Sequence, residues 1–223
     1  MSGPRIGVIH TSPATVELFG RLLRERLPDA DVFNILDDSI LPQLRDNGGD
    51  LAAVEPRWSG YARNARELGA DVILNACSSI GELCEPVSRD VGAPIVRVDA
   101  RMAREAIARG RRVAVLATAD TTLRPTCDLL AATAKREARE AQVIPMLVEG
   151  AYAALMAGDQ AGHDERIVTA LREACEQADA VVLAQASMAR VLPRLDAAAR
   201  AKCLVSPPLA VDEVVETLAA LRS

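Results

Sequence analysis

Two stretches of the chain decide the fold: Gly69-Ala-Asp-Val-Ile-Leu-Asn-Ala-Cys-Ser-Ser79 and Ala178-Asp-Ala-Val-Val-Leu-Ala-Gln-Ala-Ser187. In each, a short apolar run leads directly into small polar residues. Such a run is typical of a buried strand in a parallel sheet, and the polar residues after it mark the start of a helix. Because the stretches lie about a hundred residues apart, they indicate that the chain repeats itself once.

The elements around these stretches recur in the same order. Apolar strands alternate with amphipathic helices, which is typical of βαβ units. Besides the strand Val72–Asn75 and its counterpart within Ala178–Ser187, the predicted strands are Arg5–Ile9, Asp31–Leu36, Pro94–Val98, Val113–Leu116, Gln142–Met146 and Lys202–Val205. The predicted helices include one starting at Ser12-Pro13, one at roughly Gly60–Leu68, one at Ala100–Arg109 and one at Val211–Leu221. The sequence therefore predicts an α/β protein of two pseudo-symmetric halves with parallel sheets, and an active site in the cleft between them.

The composition excludes several classes of partner. Half of the residues are hydrophobic but only 2% are aromatic, and the net charge is -5. A chain so poor in rings and basic clusters is not expected to bind nucleic acid. No apolar stretch is long enough for a membrane span, so we expect no membrane partner. Five cysteines without paired spacing, and an N-terminus without the apolar segment of a signal peptide, indicate a cytoplasmic protein.

The sequence predicts neither a metal nor a cofactor. Its two histidines, His10 and His163, lie far apart, and the scattered cysteines lack the spacing of zinc ligands. No glycine-rich nucleotide-binding motif is present. We expect a homo-oligomer, with a dimer as the commonest form for soluble proteins of this size.

Small hydrogen-bonding residues follow the strands of both halves. In open parallel sheets, ligands bind beyond the carboxyl ends of the strands. Polar side chains and free amides at helix starts suit a small anion such as a carboxylate, although each residue could instead serve only as a helix cap. The candidate substrate-binding residues are His10, Thr11, Asn75, Ser78, Ser79, Thr118, Thr122, Gln185 and Ser187, together with Ala186, which lies between the last two.

Cys77 is the candidate catalytic residue. It follows a predicted strand, and Ser79 and Glu82 after it have the spacing of a helix capping box. A thiol near the positive end of a helix dipole is favoured as the thiolate. The alternative is a small, inert residue at a buried strand end. The other cysteines are interpreted as packing residues: Cys84, Cys127, Cys175 and Cys203.

Nearly the whole chain resembles the aspartate/glutamate racemase superfamily, which includes hydantoin racemases, maleate isomerases and arylmalonate decarboxylases. The resemblance rests on the segments Asn75-Ala-Cys-Ser-Ser79, Val115-Leu-Ala-Thr118 with Thr121-Thr122, and Val182-Leu-Ala-Gln-Ala-Ser-Met188. It implies two flavodoxin-like or Rossmann-like three-layer halves. Residues 1–99 would form the first racemase-like half, with a C-terminal helix at 209–223 packing back on it, and residues 100–208 would form the second.

The resemblance also implies a mechanism that this chain has only in part. Racemases of the superfamily use one cysteine from each half, one removing an α-proton and the other delivering a proton to the opposite face. Cys77 matches the first cysteine, but the second position falls on Gln185 or Ala186. An amide does not exchange protons usefully near neutral pH, whereas Gln185 could donate a hydrogen bond to an enolate oxygen.

Three functions are compatible with a single retained cysteine. The first is an isomerase of a small carboxylate or carbonyl compound, with Cys77 as proton carrier or nucleophile. The second is a lyase or decarboxylase that uses one thiol, and the third is a protein that binds small acids without catalysis. Two other residues are open to a role: His163, more simply an exposed loop histidine, and Arg57, more simply a surface or packing residue.

Overall fold

The computed structural model describes residues 3–222 of the 223-residue chain. The chain divides into two compact units, the first formed by the residues up to Asp99 and from Pro207 onward, the second by Ala100–Ser206. The predicted halves also include residues 1, 2 and 223, which lie outside the described residues. The assignment of the halves as separate domains stays a prediction.

The first unit contains a four-stranded parallel sheet of order β2-β1-β3-β4. Its strands are β1 (Arg5–His10), β2 (Asp31–Leu36), β3 (Val72–Asn75) and β4 (Ile95–Arg97). Ile9 of β1 pairs with Asn75 of β3, so both strands end at the same edge of the sheet. Polar residues that follow these strands are thereby brought to one edge.

Helices cover both faces of this sheet. They are α1 (Ala14–Arg26), α2 (Ile40–Asp46), α3 (Glu55–Glu67) and α4 (Cys84–Val91). Ile9 and Ile73 lie in one buried cluster with Trp58 of α3, whereas Val8 and Leu74 lie in a second cluster. Successive strand residues point to opposite faces, so the sheet forms the middle of three layers.

The second unit repeats this architecture with a sheet of order β6-β5-β7-β8. Its strands are β5 (Arg112–Ala117), β6 (Gln142–Leu147), β7 (Ala180–Leu183) and β8 (Cys203–Val205), all parallel. Its helices are α5 (Ala100–Arg109), α6 (Asp120–Arg136), α7 (Ala151–Met156), α8 (Gln160–Gln177) and α9 (Ala197–Lys202). The predicted fold class, two α/β halves with parallel sheets in the same order, is confirmed.

The last helix, α10 (Ser206–Ala220), belongs to the first unit from Pro207 onward. Val211 and Val214 of this helix lie in the same buried cluster as Phe19 and Leu23 of α1. Within residues 3–222, no helix is both long and apolar enough to cross a membrane.

Helix starts differ from the prediction more than strands do. The helix expected at Ser12-Pro13 begins at Ala14, and the Ser12 carbonyl accepts a hydrogen bond from the Thr15 hydroxyl. The helix expected from Gly60 begins five positions earlier, at Glu55. Proline in the first turn is compatible with that earlier start, because its missing N–H would have no partner there.

Candidate active site

Cys77 lies just beyond the carboxyl end of β3, in extended backbone with φ -134° and ψ 119°. The residues after it form a short 3-10 helix, Ser78–Leu83, which we call the cysteine turn. α4 begins only at Cys84. The thiol is therefore held at the start of a tight turn whose first amides point back toward it.

The predicted capping box is wrong. The cysteine turn begins without a side-chain cap, and Glu82 is exposed. The Ser79 hydroxyl instead bonds to the sulfur of Cys77. The S-x-x-E spacing predicted an α-helix starting at Ser79. A 3-10 helix, with its tighter i to i+3 hydrogen bonds, instead precedes the α-helix.

Four donors surround the Cys77 sulfur. They are the hydroxyls of Thr11 and Ser79 and the backbone N–H groups of Ser79 and Ile80. Each favours the thiolate, because a hydrogen bond to the charged form lowers the pKa. Burial acts in the opposite direction and is the larger effect, so the pKa of the Cys77 thiol is raised. The expectation that the helix start would leave a thiolate is thus wrong for the resting protein, in which Cys77 holds its proton at neutral pH.

Asn75 and His10 are enclosed by protein. The Asn75 side-chain nitrogen donates to the Cys77 carbonyl at 2.8 Å and to the Cys84 sulfur at 3.3 Å. The two ring nitrogens of His10 are hydrogen-bonded to Thr15 Oγ1 at 2.7 Å and to Asn34 Oδ1 at 2.9 Å. Neither residue has exposed surface. Their hydrogen bonds fix the backbone of the site, and their predicted contact with substrate stays a prediction.

In the second unit, Gln185 follows β7 as Cys77 follows β3. Its side-chain oxygen accepts hydrogen bonds from the Thr118 N–H at 2.7 Å and from the Thr118 hydroxyl at 2.9 Å. A backbone N–H can only donate, so the atom facing Thr118 must be the amide oxygen. The amide nitrogen of Gln185 is therefore turned away from Thr118.

The remaining predicted residues lie around these two centres. Ser78 is half-buried at the start of the cysteine turn, and Thr122 is buried in the first turn of α6. Ala186 is half-buried and Ser187 is exposed, both directly after Gln185. The structure thus gathers Thr11 and Ser79 onto the Cys77 sulfur and pairs Thr118 with Gln185. That these residues bind a substrate stays a prediction.

Sequence reasoning missed a buried ion pair next to the cysteine turn. Arg97, the last residue of β4, bonds to Asp99 through Nε at 2.6 Å and through Nη2 at 3.2 Å. Cys84, predicted to be a packing residue, lies in the same region, and burial raises its pKa to about 12 while the charge of Arg97 lowers it. The only available signal was an Arg and an Asp placed where β4 ends.

The two residues left open have structural partners. His163 is almost completely buried in α8, so its interpretation as an exposed loop residue is wrong. Its Nδ1 lies 2.9 Å from Asp164 Oδ1 and 3.0 Å from Arg190 Nη2. Arg57 forms an ion pair with Asp37 at 2.8 Å. Both residues therefore have a local structural explanation.

Comparison with known proteins gives a consistent likeness. The sequence profile of the Asp/Glu/hydantoin racemase family matches residues 6–214. Glutamate racemase from Francisella tularensis, solved in complex with D-glutamate, has a TM-score of 0.74 and 15% identity, covering 100% of this chain and 83% of that chain. An aspartate racemase homologue from Pyrococcus horikoshii has a TM-score of 0.66 and 19% identity, covering 97% of this chain and 98% of that chain.

Arylmalonate decarboxylase is also similar, with a TM-score of 0.57 and 20% identity over 96% of this chain and 92% of that chain. No curated protein matches the chain. At these identities the solved structures establish the fold, which hosts more than one reaction.

Proposed function

The chain belongs to the Asp/Glu/hydantoin racemase family, and from that premise we propose that it is a cofactor-independent isomerase of a small carboxylate or carbonyl compound. Cys77 is the proton carrier of the proposed reaction. The observation that carries this proposal is the ring of four donors on the Cys77 sulfur. An inert buried thiol needs no such ring, whereas a thiol that ionises during a reaction does.

A single thiol suits a proton shift on one face of the substrate. Cys77 first gives its own proton to water, and the thiolate takes a proton from a carbon that carries a hydroxyl group next to a carbonyl group. The electron pair of that C–H bond passes into an enediolate. The thiol then returns the proton to the former carbonyl carbon from the same side, and the hydroxyl proton moves to the former carbonyl oxygen. The hydroxyls of Thr11 and Ser79 and the turn amides stabilise the sulfur while it is charged.

We assign to Gln185 a hydrogen bond to the substrate oxygen that becomes negatively charged. Because its carbonyl oxygen is bonded to Thr118, the amide presents N–H donors to a ligand. A neutral donor held in place stabilises an oxygen that gains negative charge, and it does so without exchanging a proton. This division of roles explains how the reaction proceeds without a second cysteine.

The test is turnover of a panel of small α-hydroxy carbonyl compounds and α-substituted carboxylic acids, followed by chiral chromatography and mass spectrometry. The isomerase predicts a product of unchanged mass, and Cys77→Ala abolishes its formation. Cys127→Ala is the matched control, because Cys127 is only half-buried and lies on α6 of the second unit. Turnover by Cys77→Ala at the wild-type rate contradicts the proposal, and binding without turnover of any acid favours the non-catalytic binding protein.

One observation favours a lyase as the second candidate. Since the Cys77 thiol keeps its proton at neutral pH, it is ready to give that proton to a carbanion. In a decarboxylation, the bond to the carboxylate carbon breaks, CO2 leaves, and the carbanion takes the Cys77 proton, which water then restores. The fold is shared with arylmalonate decarboxylase. A product lighter by the mass of CO2 identifies this reaction and rejects the isomerase.

A further inference from the structure

The ion pair of Arg97 and Asp99 is almost completely buried. Asp99 has no exposed surface and the Arg97 side chain is 12% exposed. Removing two charges from water is unfavourable, and apolar residues of similar volume often stabilise a fold as well or better. A buried ion pair is therefore weak evidence of stability, and its role must be sought in what the side chains touch.

Arg97 touches the cysteine turn at Gly81. A Cβ atom built on Gly81 would lie 2.2 Å from Nε of Arg97 and 2.5 Å from its Cζ. The guanidinium group thus lies against the backbone of the turn, where no side chain fits. Gly81 is needed for this close approach and not for an unusual backbone conformation, because its φ is not positive.

The same turn supplies two of the donors on Cys77. The N–H groups of Ser79 and Ile80, which bond to the sulfur, lie two positions and one position before Gly81. Asn75 holds the other side of this arrangement, since it donates to the Cys77 carbonyl and to the Cys84 sulfur. Asn75 therefore holds the Cys77 carbonyl and the Cys84 side chain at the two ends of this segment, and Arg97 lies against its middle at Gly81.

We propose that Arg97 is a positioning residue for Cys77. Asp99 orients its guanidinium group, Gly81 admits it, and the resulting support keeps the amides of Ser79 and Ile80 directed at the sulfur. The consequence for catalysis rests on the proposed function of Cys77, whereas the effect on the thiol itself does not.

The test measures the reactivity of Cys77 without a substrate. Wild type and variants are alkylated at about pH 8.5, below the thiol pKa, where the rate follows the thiolate fraction. Modification of Cys77 is followed by peptide mass spectrometry. We expect Arg97→Met to slow the reaction about tenfold, which corresponds to a rise of about one pKa unit. The alkylation rate of Arg97→Lys should fall between those of wild type and Arg97→Met, because lysine keeps the charge but loses the bidentate contact with the carboxylate.

A second reagent separates thiolate fraction from access. Iodoacetamide and the bulkier N-ethylmaleimide slow down equally if only the thiolate fraction falls, whereas a change in access alters the ratio of their rates. Arg89→Met is the matched control. Arg89 lies on α4 of the same unit, and its ion pair with Glu85 is exposed. Cys77 should therefore be alkylated at the wild-type rate in Arg89→Met.

Loss of Arg97 alone leaves Asp99 buried and unpaired, which can unfold the unit. The double variant Arg97→Met/Asp99→Asn removes both charges and keeps the volume. The proposal predicts that this variant retains a cooperative thermal transition and still shows the tenfold slower alkylation. Wild-type or faster alkylation in the folded double variant overturns it and leaves the ion pair a purely structural feature.

Failure of this proposal is distinguishable from failure of the proposed function. If Cys77→Ala turns over substrate like wild type, Cys77 is not the proton carrier, yet the alkylation rates still decide what Arg97 does. If Cys77→Ala is inactive while the Arg97 variants alkylate normally, only the positioning role is wrong.

Discussion

The side-chain oxygen of Gln185 lies 2.7 Å from the backbone nitrogen of Thr118 and 2.9 Å from its hydroxyl oxygen. This double contact fixes which end of the amide is available to a ligand. The amide nitrogen of Gln185, one of the two residues predicted at the position of the second cysteine, is thereby left as the end of the side chain that can donate to a ligand.

Gln185→Glu tests that role with minimal change of shape. The glutamate keeps an oxygen toward Thr118, but it presents a second oxygen in place of the N–H donors. We expect kcat/KM for the substrate to fall by about 100-fold, the loss typical for one donor to a developing oxyanion. Gln160→Glu, an exposed change of the same kind on α8, should leave kcat/KM unchanged. Equal activity of the two variants would show that Gln185 is not a ligand donor.

Gly81→Ala should destabilise the first unit. The new methyl group would lie 2.2 Å from Nε of Arg97, so the guanidinium group or the turn must move. Overpacking of this kind costs about 1–3 kcal/mol of the free energy of unfolding. Gly60→Ala is the control, since nothing lies within 4 Å of its added Cβ on α3, and a helix gains about 0.5–1 kcal/mol from that change. Urea unfolding of both variants measures the difference, and equal stabilities contradict the contact.

Cys84 makes the stability of the fold sensitive to alkaline pH. Burial raises its pKa from the ordinary 9.0 to about 12, so the folded chain holds this proton longer than the unfolded chain. The stabilising contribution is complete below the unfolded pKa and is lost as pH rises toward the folded one. We expect the free energy of unfolding to decline between about pH 9 and pH 12, and less steeply in Cys84→Ala. Parallel pH profiles would contradict this.

The contribution of His10 to stability has the opposite pH dependence, since it is lost in acid and not in alkali. Burial lowers its pKa below the ordinary 6.5, and the hydrogen bond to Asn34 offsets this only in part. The folded protein therefore holds a neutral imidazole, and its contribution to stability is lost as pH falls through the folded pKa. An NMR titration of the two histidine ring protons, assigned with a His163→Gln variant, should place the His10 transition below 6.5. A transition at or above 6.5 would contradict the enclosed, neutral His10.

The strands could be predicted from the sequence because their hydrophobic pattern depends on local residues. Asp31–Leu36 and Val72–Asn75 form strands with the predicted bounds, and Ala100–Arg109 forms the predicted helix. Side chains alternate between the two faces of a sheet along each strand. This alternation explains why Val8 and Leu74 are buried on one face and Ile73 on the other.

The partners of polar side chains could not be predicted, because they depend on which elements meet in space. Ser79 bonds to the Cys77 sulfur instead of capping a helix. Arg97 and Gly81 meet across sixteen positions of sequence that carry no motif. The pKa of Cys77 likewise depends on the balance between burial and four donors, of which sequence position indicated only the helix start.

The central claim, that Cys77 carries the proton, is tested most directly by exchange of the substrate's α-hydrogen with solvent. Wild type, Cys77→Ala and Cys127→Ala are incubated in D2O with the compound that turns over, and proton NMR follows loss of the α-hydrogen signal. We predict that wild type and Cys127→Ala exchange the hydrogen at equal rates, and that Cys77→Ala falls to the rate without protein. Exchange by Cys77→Ala at the wild-type rate would contradict the account.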